Sequence, residues 1–281
     1  TYLDPPTVSS VSPLSGAAGG GTTITITGTN FSDLGSDPTV TVGGATCGSV
    51  NFNSSTELEC DTPTGTVGAQ DIVVTNDDGQ SGTGANLFTY QDAPTVASVS
   101  PVGGVVGGGT TITITGTNFS NLDGVPSVTV GASACTGVNY TSPTEIECET
   151  GSGTAGVQDI EVTNADGQPG TGGGLYEYRD DPTFISVTPS YGDSAGGTSI
   201  SIDGSNFSDH TADPVVTVGG SNCTSVSRPS DTQIDCTTPA GSAGGADIVI
   251  TNTSGQSVTT SGGFTYQDAP TVASVSPVSG P

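Results

Sequence analysis

The 281-residue chain has no lysine, no methionine and no tryptophan, a single histidine (His210) and two cations, Arg179 and Arg228. Against 28 Asp and Glu this leaves a formal net charge of -26. Binding to a phosphate backbone requires basic neutralisation, so nucleic acid is excluded as a partner, and anionic membrane surfaces with it. Without lysine, lysine–asparagine isopeptide cross-links cannot form. One histidine, with no Cys-His pair, leaves almost no means of building a general base or an activated nucleophile, and no enzyme is expected. Hydrophobic residues make up 31% and aromatics 5%, too little for one large core and enough for several small ones. Only 11% of residues are charged, so this is not a highly charged disordered chain. No apolar run is long enough to cross a bilayer, and none reads as a signal peptide. The acidity serves solubility through mutual repulsion; a saline or calcium-bearing environment is the sharper alternative.

What is present is glycine (44), proline (18) and abundant Ser, Thr, Val and Ile, arranged with a strict period. The stretch Gly19 to Phe31, GGGTTITITGTNF, recurs letter for letter from Gly107 to Phe119, and as Gly196 to Phe207 with small changes. Pro6, Pro94, Pro182 and Pro270 are each separated by 88 positions, as are Asn30, Asn118 and Asn206. Three copies align without insertion or deletion, the signature of a repeat array. Within each copy short apolar–polar alternations are separated by turn residues. In the first they are Thr7 to Val11, Thr22 to Thr27, Val40 to Val42, Gly48 to Phe52, Glu57 to Cys60, Asp71 to Thr75 and Leu87 to Tyr90. The glycines on both sides of Thr22 to Thr27 are read as turn positions that need positive φ. Seven short strands in 88 residues, with no helical periodicity, predict an all-β, immunoglobulin-like sandwich.

The ordered motifs Pro6 to Pro13, Gly20 to Phe31, Val40 to Gly44, Cys47, Cys60 to Pro63 and Phe88 to Tyr90 resemble the IPT/TIG family. All three copies carry the set. Departures are small: Cys148-Glu149-Thr150-Gly151 lacks the proline, and the second copy reads Val130-Gly131-Ala132. The resemblance implies tandem immunoglobulin-like β-sandwich domains in a linear array, as in bacterial or archaeal cell-surface and filament proteins. The same fold occurs in receptors, transcription factors and carbohydrate-active enzymes, so it does not select a function. The expected organisation is the end of a preceding repeat at 1–5, repeats at 6–93, 94–181 and 182–269, and the start of a further repeat at 270–281. Thr1-Tyr2-x-Asp4-x-Pro6 matches Thr89-Tyr90-x-Asp92-x-Pro94, which reads as a window cut from a longer array.

Six cysteines form one pair per repeat, 13 positions apart: Cys47/Cys60, Cys135/Cys148 and Cys223/Cys236. A disulfide in each would close a small loop and place the chain in an oxidising, extracellular compartment; buried free thiols are the alternative. His210 takes the slot of Leu34 and Leu122, as a surface residue. Glu57/Glu59 and Glu145/Glu147 become Gln233/Asp235 in the third repeat, which favours solvated strand faces over a glycosidase dyad. Asn76-Asp77-Asp78-Gly79 offers oxygen ligands for calcium, as do Asp4, Asp92, Asp180 and Asp268 at the junctions. The third repeat, however, has Asn252-Thr253-Ser254-Gly255, and Asn-x-x-Gly is an ordinary turn signal. Calcium aside, no cofactor is expected. Asn30, Asn118 and Asn206 head N-x-Ser sequons, but the same asparagine belongs to the fold motif. Phe52, Tyr140 and Arg228 share one variable position, suited to strand packing or, if exposed, to a ligand or neighbour.

Between repeats the chain runs Tyr90-Gln91-Asp92-Ala93-Pro94, a short proline-stiffened link that predicts a rod or gentle superhelix. The expected function is an extracellular or cell-surface structural protein: a filament, stalk or fibre assembled from copies of itself, without membrane insertion in this segment. Two alternatives stand beside it: the spacer of an adhesin that carries a surface ligand or glycan site elsewhere, and the spacer of a secreted carbohydrate-active enzyme.

Overall fold

The computed structural model describes residues 4–207, 212–253 and 255–276. Among them every regular element is a strand. In the first repeat these are β1 (Thr7–Ser12), β2 (Ser15–Ala17), β3 (Thr23–Thr29), β4 (Thr39–Val42), β5 (Ala45–Thr46), β6 (Gly48–Ser54), β7 (Glu57–Asp61), β8 (Gly68–Thr75) and β9 (Ser81–Gln91). They form a four-stranded sheet in the order β1-β3-β7-β6 and a five-stranded sheet in the order β2-β9-β8-β4-β5. Every pairing is antiparallel except β2 with β9, which is parallel from Ser15↔Thr89 to Ala17↔Gln91. The seven predicted strands are present. β2 and β5 are additions, too short and too poor in β-branched residues to show as alternation.

The alternation read in the repeated stretch is the core itself. Ile24 and Ile26 on β3 are fully buried, as are Leu58 on β7, Val40 on β4, Ile72 and Val74 on β8, and Phe88 on β9. Burying each such side chain contributes roughly 2 kcal/mol relative to leaving it exposed. The Phe88 and Tyr90 rings meet edge to face, 5.1 Å between centroids, and the Tyr90 hydroxyl donates to the Pro63 carbonyl at 2.5 Å.

The glycines that flank β3 have two different reasons. Gly20 and Gly21 enter the strand at φ of 78° and 83°, as the turn reading requires. Gly28 does not need positive φ. A Cβ there would lie 1.9 Å from the Thr7 carbonyl oxygen and 2.5 Å from the Phe31 ring, so only glycine lets β1 approach. The positive φ after the strand falls instead on Asn30, at 59°, and on Asn118 and Asn206 at 59° and 58°. Asparagine tolerates this left-handed region better than most residues.

By contacts the chain divides into two compact units. One comprises Thr1–Pro101, Gly109–Gly153 and Val157–Tyr176; the other comprises Val102–Gly108, Thr154–Gly156 and Glu177–Pro281. The first contains the first repeat and a second four-stranded sheet, Thr95–Ser100, Thr111–Thr117, Glu145–Glu149 and Thr136–Ser142, over buried Ile112, Ile114 and Ile146. The second contains the sandwich of the third repeat, with a core that includes Ile200, Ile202, Phe207, Ile234, Ile248, Ile250 and Phe264.

Candidate functional site

The cysteine pairs lie where the chain crosses from one sheet to the other. Cys47 follows β5 in the five-stranded sheet, Cys60 is on β7 in the four-stranded sheet, and the two are bonded across a Cα separation of 5.9 Å. The backbone frame recurs: the Cys47, Cys135 and Cys223 amides donate to Val40, Val128 and Val216 at 2.9, 2.9 and 2.8 Å. Cys60, Cys148 and Cys236 pair in register with Ile24, Ile112 and Ile200. A bond was expected in each repeat. It is present in the first; in the second and third the same two cysteines face each other as thiols in contact. Each thiol pair shares a hydrogen bond, which lowers the pKa of Cys135 and Cys223 and raises those of Cys148 and Cys236, burial adding to the rise.

The sequon asparagines have backbone tasks. Asn30 Nδ2 donates to Pro5 O at 3.1 Å, Asn118 Nδ2 to Ala93 O at 3.1 Å and Asn206 Nδ2 to Asp181 O at 3.0 Å. Each ties the turn after β3 or its counterpart to the segment entering the same repeat, which accounts for asparagine here without a glycan. The turn Asn76 to Gly79 is closed by its backbone, Gly79 N donating to Asn76 O and Asn76 N to Gln80 O, both at 2.9 Å. Buried Asn76 accepts from Ser32 N at 3.1 Å and donates to Asn30 O at 2.8 Å. Its acids are engaged by protein donors: Asp77 accepts from Ser36 Oγ at 2.9 Å, and Asp78 from Gln80 N and Nε2 at 3.0 and 2.7 Å. The backbone and side-chain hydrogen bonds from Gln80 hold Asp78 below its ordinary pKa. Among the described residues no group of three His, Cys, Asp or Glu could hold a metal ion.

Glu57 and Glu59 occupy the outward face of β7, alternating with buried Leu58 and Cys60, and Glu57 accepts from Asn53 Nδ2 at 3.0 Å. The variable position serves packing in the first repeat, where Phe52 lies against the core, and ion pairing in the third, where Arg228 Nε stands 3.8 Å from Asp213 Oδ1. His210 lies outside the described residues, as does Ser254.

Sequence reasoning missed the residues that join one repeat to the next. Gln91, at the end of β9, donates to Ser120 Oγ at 2.8 Å, and Asp123 accepts from Leu14 N and Ser15 Oγ, both at 2.5 Å. Gln168 Nε2 reaches back to Gln91 O at 3.3 Å, and Gln256 Nε2 to Arg179 O at 2.9 Å. The available signal was a glutamine at 80, 168 and 256, kept while the turn before it changed.

A sequence model of the IPT/TIG domain matches residues 6–90, 94–178 and 182–266. The chain belongs to the IPT/TIG family. Its TIG repeats are similar to human fibrocystin-L, 31% identical over 293 residues covering 100% of this chain and 6% of that protein. They are also similar to Caenorhabditis briggsae plexin-2, 31% identical over 208 residues covering 73% of this chain and 12% of that protein. Among solved structures, the full extracellular region of plexin A4 aligns with 95% of this chain and 24% of its own, at 22% identity and a TM-score of 0.46. The TIG array thus spans a small fraction of the curated relatives it matches.

Proposed function

We propose that this chain is a structural TIG array outside the cell, a stalk or filament segment whose repeats act as stiff spacers and associate with further copies of themselves. The observation that carries the reading is the brevity of the links. Only Asp92, Ala93 and Pro94 separate β9 from the next strand, Thr95–Ser100, and only residues 180–182 separate Pro169–Arg179 from Thr183–Thr188. A three-residue link ending in proline has none of the reach of a Gly/Ser tether. An extracellular setting is supported by the paired cysteines, which we take to be disulfides in all three repeats where thiols are not kept reduced.

Electron microscopy and sedimentation velocity on the purified chain test this. Elongated particles, with sedimentation that rises with protein concentration, are expected; compact particles of constant sedimentation would overturn it. The proposal includes no binding to nucleic acid, and a salt-resistant gel shift would contradict that part. A second reading, the spacer of a larger surface protein of the fibrocystin-L or plexin kind, is favoured by the 6% and 12% of those relatives that the chain spans. Isolating the protein from its source and sizing it by mass spectrometry separates the two. A long product with a distal non-TIG domain selects the spacer; a product built of TIG repeats alone selects the filament.

A further inference from the structure

The hairpin joining β8 to β9 ends in glutamine in every repeat, at Gln80, Gln168 and Gln256. In two of them this side chain meets the same atom, the carbonyl oxygen that ends the last strand of the repeat before. Gln91 O accepts from Ala18 N in its own repeat at 3.0 Å and from Gln168 Nε2 at 3.3 Å. Arg179 O accepts from Val106 N at 3.1 Å and from Gln256 Nε2 at 2.9 Å. One lone pair of each carbonyl thus serves its own sheet and the other the following repeat.

The amide is aimed by an acid, and the acid changes place. In the second repeat Asp166 accepts from Gln168 N at 3.1 Å and from Gln168 Nε2 at 2.7 Å. The third repeat has Ser254 in the position of Asp166. There Asp181, in the link and in the position of Ala93, accepts from Gln256 Nε2 at 3.2 Å. The carboxylate has moved from hairpin to link while the glutamine–carbonyl bond is kept. We propose that Gln168 and Gln256 are latches that fasten each repeat to the strand end of its predecessor, with Asp166 and Asp181 as alternative positioning residues. Charge-assisted hydrogen bonds of this kind restrict the amide more than a neutral partner does. The latch would operate in a filament or in a spacer alike.

The test measures inter-repeat distance in the full chain by pulsed electron spin resonance, with nitroxides on p-acetylphenylalanine at exposed Asn51 and Asn139, leaving the cysteines untouched. Gln168→Ala should broaden the distance distribution at least about twofold, since a freed link samples more orientations. Asp166→Ala should broaden it less. Adding Ala93→Asp to Asp166→Ala should narrow it again by recreating the third-repeat arrangement, a rescue that a merely structural role for Asp166 would not give. Gln70→Ala is the control, because Gln70 Nε2 bonds Thr66 O within its own repeat at 2.9 Å. A Gln168→Ala chain that keeps its circular dichroism and the wild-type width would overturn the proposal. If that variant does not fold, an Asp166→Ala chain with unchanged width, or no rescue by Ala93→Asp, overturns it instead.

Discussion

The first and third repeats hold the same strands in the same register, yet fill one corner of the sandwich differently. In the first, Gly84 on β9 lies under Leu87 and Val8: a Cβ on Gly84 would meet Leu87 Cδ1 at 2.2 Å and Val8 Cγ1 at 2.8 Å. The second repeat has the same trio, Gly172, Leu175 and Val96. In the third the residues are Thr260, Gly263 and Phe184, and Phe184 packs against the core. A Cβ on Gly263 would in turn meet Thr260 Cγ2 and Ile248 Cδ1 at 3.2 Å. Volume has moved from the leucine to the phenylalanine and threonine, and the glycine has moved with it. The lesson is that the corner is specified as a filled space shared by three positions, whereas Gly28 and Gly204 face a backbone oxygen and are specified singly.

The largest expected effect tests what the two repeats share. Gly28→Ala and Gly204→Ala should each destabilise their own repeat by at least about 3 kcal/mol, because the obstructing carbonyls of Thr7 and Thr183 cannot rotate away. Chemical denaturation followed by repeat-specific fluorescence would read this, and a cost under about 1 kcal/mol would show that β1 can retreat.

Next comes the cysteine difference. Reduction of Cys47–Cys60 should cost the first repeat about 3 kcal/mol in the chain-entropy model for so short a loop. After air oxidation the third repeat should respond to reductant by a similar amount, and alkylation without reductant should then label none of the six cysteines. Four labelled cysteines would mean that the difference between the repeats persists in solution.

The corner itself should be transferable. Gly84→Thr alone should cost the first repeat about 2 kcal/mol by overpacking. Combining it with Leu87→Gly and Val8→Phe should recover most of that loss, since residues sharing one space couple strongly. Additive losses in the triple variant would break the comparison.

The smallest effect concerns pH. Burial raises the pKa of Tyr90, against a lowering hydrogen bond with Thr62; burial also raises that of Tyr266, to which the charges of Cys223 and Cys236 add. A raised phenol favours the fold while it stays neutral, so this stabilisation is complete below pH about 10 and is lost as pH rises through the folded value. Oxidising Cys223–Cys236 removes any thiolate charge beside Tyr266, so the Tyr266 titration at 295 nm should move down. An unchanged titration would dissociate the tyrosine from the cysteine pair.

Much of this architecture is legible in the chain. Period-2 alternation at Ile24/Ile26 and Leu58/Cys60 appears because one face of each strand is buried, and the 88-residue spacing exposes the repeat directly. β2 was not legible: Ser15–Ala17 has no alternation, and becomes a strand only because β9 lies beside it in parallel. Nor was the division of labour around β3, where Gly28 answers a contact with Thr7, 21 positions earlier, and Asn30 takes the positive φ.

The local pattern of apolar, polar and turn residues determined by itself that this protein is a succession of TIG sandwiches, because strand alternation and turn chemistry act over a few neighbouring positions. Tertiary structure alone decided which polar side chains join the repeats. Gln168 meets Gln91 across 77 positions and Gln256 meets Arg179 across the same interval; the glutamine recurs in the sequence, but nothing near it in the chain names its partner. They exist because folding brings the hairpin of one sandwich to the strand end of another, where a carbonyl lone pair is left to be satisfied.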